Sequence, residues 1–170
     1  EKNSGFKLNL SMLRRMMYAV LYGDVLMYTV NQTKPYEIEK GAAEKLADEW
    51  TAKLVERLGN KKSLPYKEVK KTYRDIIKSF AELPMNRVAK EKVGVVGEIY
   101  VKFSPFANRH LEDYLVEEGA ESTMGGMADF ALFYLYGRMI EYDMYRIHKK
   151  SVHFMRIAFK ILNRKQNDII

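Results

Sequence analysis

Cysteine is absent from the 170 residues. That excludes a disulfide framework, a thiolate zinc site and a cysteine-ligated iron–sulfur cluster within this chain. The chain also has no run of about 18 apolar residues, which a transmembrane helix would need. Histidine is scarce: His110, His148 and His153 are all there is. The last two are five apart, not the four that sets two imidazoles side by side on one helix. No HExxH or related pattern occurs, so no metal site is expected.

The opening residues Glu1 to Gly5 carry no initiator Met, no basic n-region and no apolar core, so no signal peptide is read there. With the abrupt ending Asn167-Asp168-Ile169-Ile170, this suggests a fragment of a larger intracellular protein, and a cytoplasmic location is expected. The composition, 47% hydrophobic and 30% charged, is that of a folded domain, and 170 residues suffice for one domain with a core. The net charge of +7 is unevenly placed. Seven basic residues (Arg146, Lys149, Lys150, Arg156, Lys160, Arg164, Lys165) lie between Met144 and Gln166 with no acidic one among them. The remaining 22 basic residues balance the 22 acidic ones.

Periodicity organises the chain. Leu13, Met16, Met17, Val20, Leu21, Val25 and Tyr28 recur at three- and four-residue steps and predict a helix over about 11–31, interrupted at Lys34-Pro35. Ala43, Leu46, Ala47, Trp50, Leu54 and Leu58 predict a second over about 42–58, ended by Gly59-Asn60. Ser63 as cap and Pro65 in the first turn open a third, with Val69, Tyr73, Ile76, Ile77 and Phe80 as its buried stripe and Pro84 closing it. The run Lys92 to Val101 is β-branched and reads as a buried strand. Ser104-Pro105 then starts a helix that stops at Gly119, and Ala120 to Met124 supplies a parallel strand, the start of a right-handed βαβ unit. After Gly125-Gly126 come an aromatic helix to about His148 and a last one over about 150–165. The expected class is a helix-rich α/β fold: a helical layer over 1–84, the start of a Rossmann-like parallel β-α-β subdomain over 92–124, and C-terminal helices over 127–170, all in one domain.

Val95-Val-Gly-Glu-Ile-Tyr-Val101, then Pro105-Phe-Ala-Asn108 and Leu115-Val-Glu-Glu-Gly-Ala-Glu121 together resemble a block in large bacterial proteins related to 2-hydroxyacyl-CoA dehydratases and their activases. Gly23-Asp24, Lys34-Pro-Tyr-Glu37 (where the family usually begins with Arg) and Lys40-Gly41 precede it in the same order. The resemblance covers about 23–135. It implies α/β subdomains around a [4Fe-4S] cluster, an ATP-driven activase that delivers an electron, and an acyl-CoA substrate. This chain lacks the cysteines and the phosphate-binding loop for that chemistry. Cluster and ATP are therefore expected elsewhere in the parent system, with no cofactor held here. The segment is expected to be structural and binding rather than catalytically complete, meeting the remainder of its parent chain or a neighbouring subunit, or an acyl-CoA.

Four residues form the candidate ligand-binding set: Gly97, Glu98, Ser104 and Asn108, where a strand end meets a helix start. The bland alternative is close helix–strand packing at the glycines and a solvated Glu98. Asp24 falls near the centre of an apolar stripe. A carboxylate there needs a partner, and a structural bond, for instance to the Lys34–Glu37 turn, is the expected role, so Asp24, Lys34 and Glu37 are structural polar residues. No catalytic residue is assigned. The rival reading is a basic helical module for nucleic acid or phosphate-bearing ligands, built on the C-terminal helix with Phe154 and Phe159. A small enzyme using Glu98 or Asp24 as a base ranks last, since no nucleophile–base pair accompanies either. The basic face is otherwise a solvated or docking surface, and neither a membrane nor nucleic acid is expected as partner.

Overall fold

The computed structural model describes residues 9–60, 64–147 and 151–169. Eight α-helices and two short strands are formed among them: α1 (Leu10–Thr33), α2 (Ala42–Asn60), α3 (Tyr66–Ala81), β1 (Lys92–Val95), α4 (Ile99–Phe103), α5 (Pro105–Asn108), α6 (Leu111–Glu117), β2 (Glu121–Met124), α7 (Met127–Tyr145) and α8 (Val152–Gln166). The helix-rich α/β class is the observed one. The expected cap Ser63 and the expected helix end His148 lie outside the described residues.

Helix α1 is the axis of the molecule, packing against α2, α3, β2 and α7. Its start is capped by Asn9, whose side chain accepts the Met12 amide at 2.8 Å. The face it buries is rotated from the one periodicity suggested. Tyr18, Leu21, Tyr22 and Val25 are buried against α2 and α3, whereas Leu13, Met16 and Val20 stay exposed. The line Leu13–Met16–Val20 runs on into Asp24, and among the described residues only from Asp24 onward does a neighbouring element cover it.

The core beneath α1 is closed by Ala43 and Leu54 of α2 and by Val69, Tyr73, Ile76 and Phe80 of α3. The edge-to-face pair Tyr22–Tyr73 lies at its centre, with centroids 5.3 Å apart. A single-turn 3-10 segment (Lys34–Tyr36) with Pro35 follows α1. Glu37 then accepts the amides of Gly41 (2.6 Å) and Ala43 (2.9 Å), satisfying donors that the start of α2 leaves over.

The strands pair in parallel, Lys92 opposite Glu121 and Val95 opposite Met124. Two expectations fail in the connection between them. The strand read over Lys92 to Val101 ends at Val95 and is mostly exposed, because Glu98 caps a helix: its carboxylate accepts the amides of Tyr100 (2.8 Å) and Val101 (3.3 Å). Local capping overrides the β preference of Ile99 and Val101. The single helix read from Pro105 to Gly119 is two, broken at Arg109 and His110, both left-handed with φ of 56° and 55°. Asn108 supports the break by accepting the Leu111 amide and donating to the Lys102 carbonyl.

Helices α7 and α8 run in opposite directions, since Asp129 meets Gln166, Tyr136 packs on Phe159, and Asp143 pairs with Arg156. No described helix is long and apolar enough to cross a membrane.

Ile76 is fully buried, whereas the adjacent Ile77 is 43% exposed. Ile76→Ala should therefore lower unfolding stability by about 2–4 kcal/mol, and Ile77→Ala by less than about 1 kcal/mol, in urea denaturation. Equal losses would contradict this orientation of α3.

Candidate functional site

The end of β2 delivers the chain through Gly125-Gly126 into α7, and Asp24 receives that helix. Its carboxylate accepts the Met127 amide at 2.7 Å and the Ala128 amide at 2.8 Å. A helix start exposes unpaired N–H groups and the positive end of its dipole, so an acid from α1, about a hundred residues earlier, caps α7 across the fold. The approach depends on glycine. A Cβ on Gly126 would lie 2.4 Å from Cγ of Asp24, a distance no side chain could occupy.

A second group of contacts completes the junction. The Tyr28 hydroxyl, one turn on from Asp24, donates to Asp129 Oδ2 (2.6 Å) and accepts the Gly126 amide (2.8 Å). Asp129 reaches back to that same amide at 2.8 Å. Gln166 of α8 donates to Asp129 Oδ1 (3.1 Å) and more weakly to the Tyr28 oxygen (3.4 Å). Lys102 of α4 donates to the Gly125 carbonyl at 2.7 Å. Residues from α1, α4, α7 and α8 thus converge on one turn. Burial pushes the Asp24 carboxyl above its ordinary range, offset by the two amides and by Lys102, while Asp129 adds repulsion. Burial, together with the bond to Asp129, likewise pushes the Tyr28 phenol up, so it stays protonated and able to donate.

Beside this junction lies a cleft of about 500 Å³ between α1, Ile77 of α3, β2 and Ile169. Val25, Ile77, Met124 and Ile169 provide apolar walls, and Tyr28, Asn31, Gln32 and Thr123 bring polar groups to it. Ser122 also lines it. That residue is 3% exposed, and its hydroxyl has no hydrogen-bond partner among the described residues. Glu121 beside it is buried with its carboxylate engaged by the Tyr36 hydroxyl (2.6 Å) and Lys92 (3.1 Å). A neighbouring cavity of about 430 Å³, extending to Arg87 and Met85, shares Thr29, Gln32 and Ile77 with the cleft.

Of the residues singled out in the sequence, Lys34 and Asn108 line one cavity of about 390 Å³, which Ser122 also borders; the others are dispersed. Glu98 spends its carboxylate on its own helix. Ser104 caps α5 through the Ala107 amide at 3.3 Å. Asn108 holds the α5–α6 break. A side chain at Gly97 would meet nothing within 4 Å, so no close helix–strand approach occurs there. Lys34 bridges Glu44 (2.5 Å) and Asp113 (2.6 Å) and holds Asp113 below the ordinary carboxylate range. The Asp24 partner is the α7 start, not the Lys34–Glu37 turn. Both helices that follow a strand, α4 and α7, have their N-termini filled by the protein's own carboxylates. Among the described residues no group of three or more His, Asp and Glu is placed to hold a metal ion.

Sequence reasoning did not find Tyr28, Asp129, Gln166 and Ser122. The available signal was Gly125-Gly126 with an acid three residues into the next helix, an N-terminal pattern. Ser122 gave none. Comparison with protein-family models, curated proteins and solved structures returns no match.

Asp24→Asn places an amide donor against one of two N–H groups. It should cost about 1–3 kcal/mol in denaturant unfolding, and Gly126→Ala a comparable amount or more. The pH dependence has a definite sign. Because the native pKa of Asp24 lies above the unfolded one, the native state binds the proton more tightly. The contribution of Asp24 ionisation to stability is therefore most favourable below the ordinary carboxylate range. It falls as pH rises through the raised value and is flat above it. The stability difference between wild type and Asp24→Asn, followed across that interval, should shrink with rising pH; a difference that grows would contradict the assignment.

Proposed function

We propose that this chain is a binding segment whose cleft between α1 and β2 accepts a small amphipathic ligand, in keeping with the acyl portion of a 2-hydroxyacyl-CoA. Its parent is a protein of the 2-hydroxyacyl-CoA dehydratase and activase kind, in which the β-α-β unit belongs to a Rossmann-like subdomain. The observation that carries the reading is Ser122. A hydroxyl this deeply buried without a partner is costly, and a ligand hydroxyl or carbonyl in the cleft would satisfy it. The volume falls in the range of small-molecule sites, and mixed apolar walls with a few polar groups are their usual lining. Chemistry is not assigned to these residues. Asp24, Glu98 and Glu121 are each engaged within the chain, and a base must be within reach of the proton it takes.

The anion-binding positions at the starts of α4 and α7 are occupied, so the phosphates of CoA are assigned to the solvent side of the cleft mouth rather than to a helix N-terminus. The carbon chain and its hydroxyl make the recognised contacts.

Titration of the ¹⁵N-labelled chain with a four-carbon 2-hydroxyacyl-CoA, the corresponding acyl-CoA without hydroxyl, and CoA alone tests this. Amide shifts should centre on residues 121–125 and 28–32 for the hydroxylated ligand. Ser122→Ala should weaken binding by about 5–10-fold. Shifts confined to other surfaces, or equal responses to CoA alone, would overturn the assignment.

A further inference from the structure

Helix α8 has three faces. Val152, Met155, Phe159 and Leu162 turn inward toward α7 and the core. Phe154 (75% exposed), Ile157 (59%) and Ile161 (48%), at three- and four-residue steps, form an outward apolar stripe. Arg156, Lys160 and Arg164, four apart, form a basic stripe adjoining it, about 100° round the helix. On α7, Phe133, Ile140 and Met144 are exposed at the spacing of one helical face.

Charge and side-chain type together select the occupant. No acidic residue lies between Met144 and Gln166. Arg156 is paired with Asp143 of α7 and Lys165 packs on the Tyr66 ring, so Lys160 and Arg164 are the cations that give the outward face of α8 its positive charge. A second copy docking in an isologous fashion would set like charges against one another. Nucleic acid would engage the cations and an aromatic ring, but gives exposed isoleucines nothing to bury against. An anionic bilayer takes both: headgroups meet Lys160 and Arg164, and the acyl boundary meets Phe154, Ile157 and Ile161. We infer that the outward face of α8 adsorbs onto anionic lipid surfaces, the helix lying in the plane of the interface. This is adsorption rather than insertion, and it is independent of the cleft.

Sedimentation of the intact chain with phosphatidylcholine vesicles, with and without phosphatidylserine, tests the inference. Binding is expected only to the phosphatidylserine-containing vesicles, and it should weaken with salt. Lys160→Glu with Arg164→Glu should reduce it about tenfold or more. Ile157→Ser with Ile161→Ser should reduce it comparably while far-ultraviolet circular dichroism and the cleft titration are unchanged. Absence of binding to phosphatidylserine vesicles, or binding indifferent to both variants, would overturn the inference. So would tight duplex DNA binding that survives the isoleucine changes, or a stable dimer that hides the stripe.

Discussion

One buried carboxylate organises the junction on which the candidate site stands. Asp24 lies on α1, the helix that packs against α2, α3, β2 and α7, and its two oxygens take the first free amides of α7. An ionised acid buried without partners would be strongly unfavourable. Two amides and the helix dipole make it tolerable, and in return they fix where α7 begins. Because α7 follows β2 directly, the same contact sets the end of the strand and one wall of the cleft. Gly126 permits the approach, and Tyr28, Asp129 and Gln166 extend it to α8. The parallel strand pair is too small to be stable by itself; its anchorage is this contact and the packing of β2 on α1.

The junction also limits what the loops after the strands can do. In open α/β folds the turn between a strand and its following helix is where phosphates are received, because the helix start offers bare N–H groups. Here those donors are consumed internally, by Glu98 at α4 and by Asp24 at α7. An incoming anion would have to displace a covalently tethered carboxylate. The proposed ligand cleft lies instead along the side of β2, where the Ser122 hydroxyl has no partner among the described residues.

Much of the fold is legible in the chain because its helices are long and periodic. Ala43 to Leu58, and Val69, Tyr73, Ile76 and Phe80, face inward as their spacing indicates, whereas Ile77, expected in the same stripe, is exposed. The second strand falls at Glu121–Met124 in parallel pairing. The errors have local causes. Ile99, Tyr100 and Val101 are β-formers by composition, yet Glu98 supplies a cap and the segment turns helical. Arg109 and His110 adopt left-handed conformations that no glycine advertises. Leu13, Met16 and Val20 fit an apolar stripe, but the elements that reach this stretch of α1 cover the face of Arg15 and Tyr18 instead. Asp24 was conspicuous as a polar intrusion, while its partner was invisible, since two backbone amides 103 and 104 residues away leave no side-chain signature. Ser122 was indistinguishable from any strand serine until the absence of a partner could be seen.

Hydrogen exchange at the Met127 and Ala128 amides measures the central contact directly. Amides in the first turn of a helix ordinarily exchange fast, for want of an acceptor. With Asp24 as acceptor, both should be protected to the same degree as core amides such as those of Leu21 and Ile76, and lose that protection in Asp24→Asn. Rapid exchange of both in the wild-type chain would contradict the account.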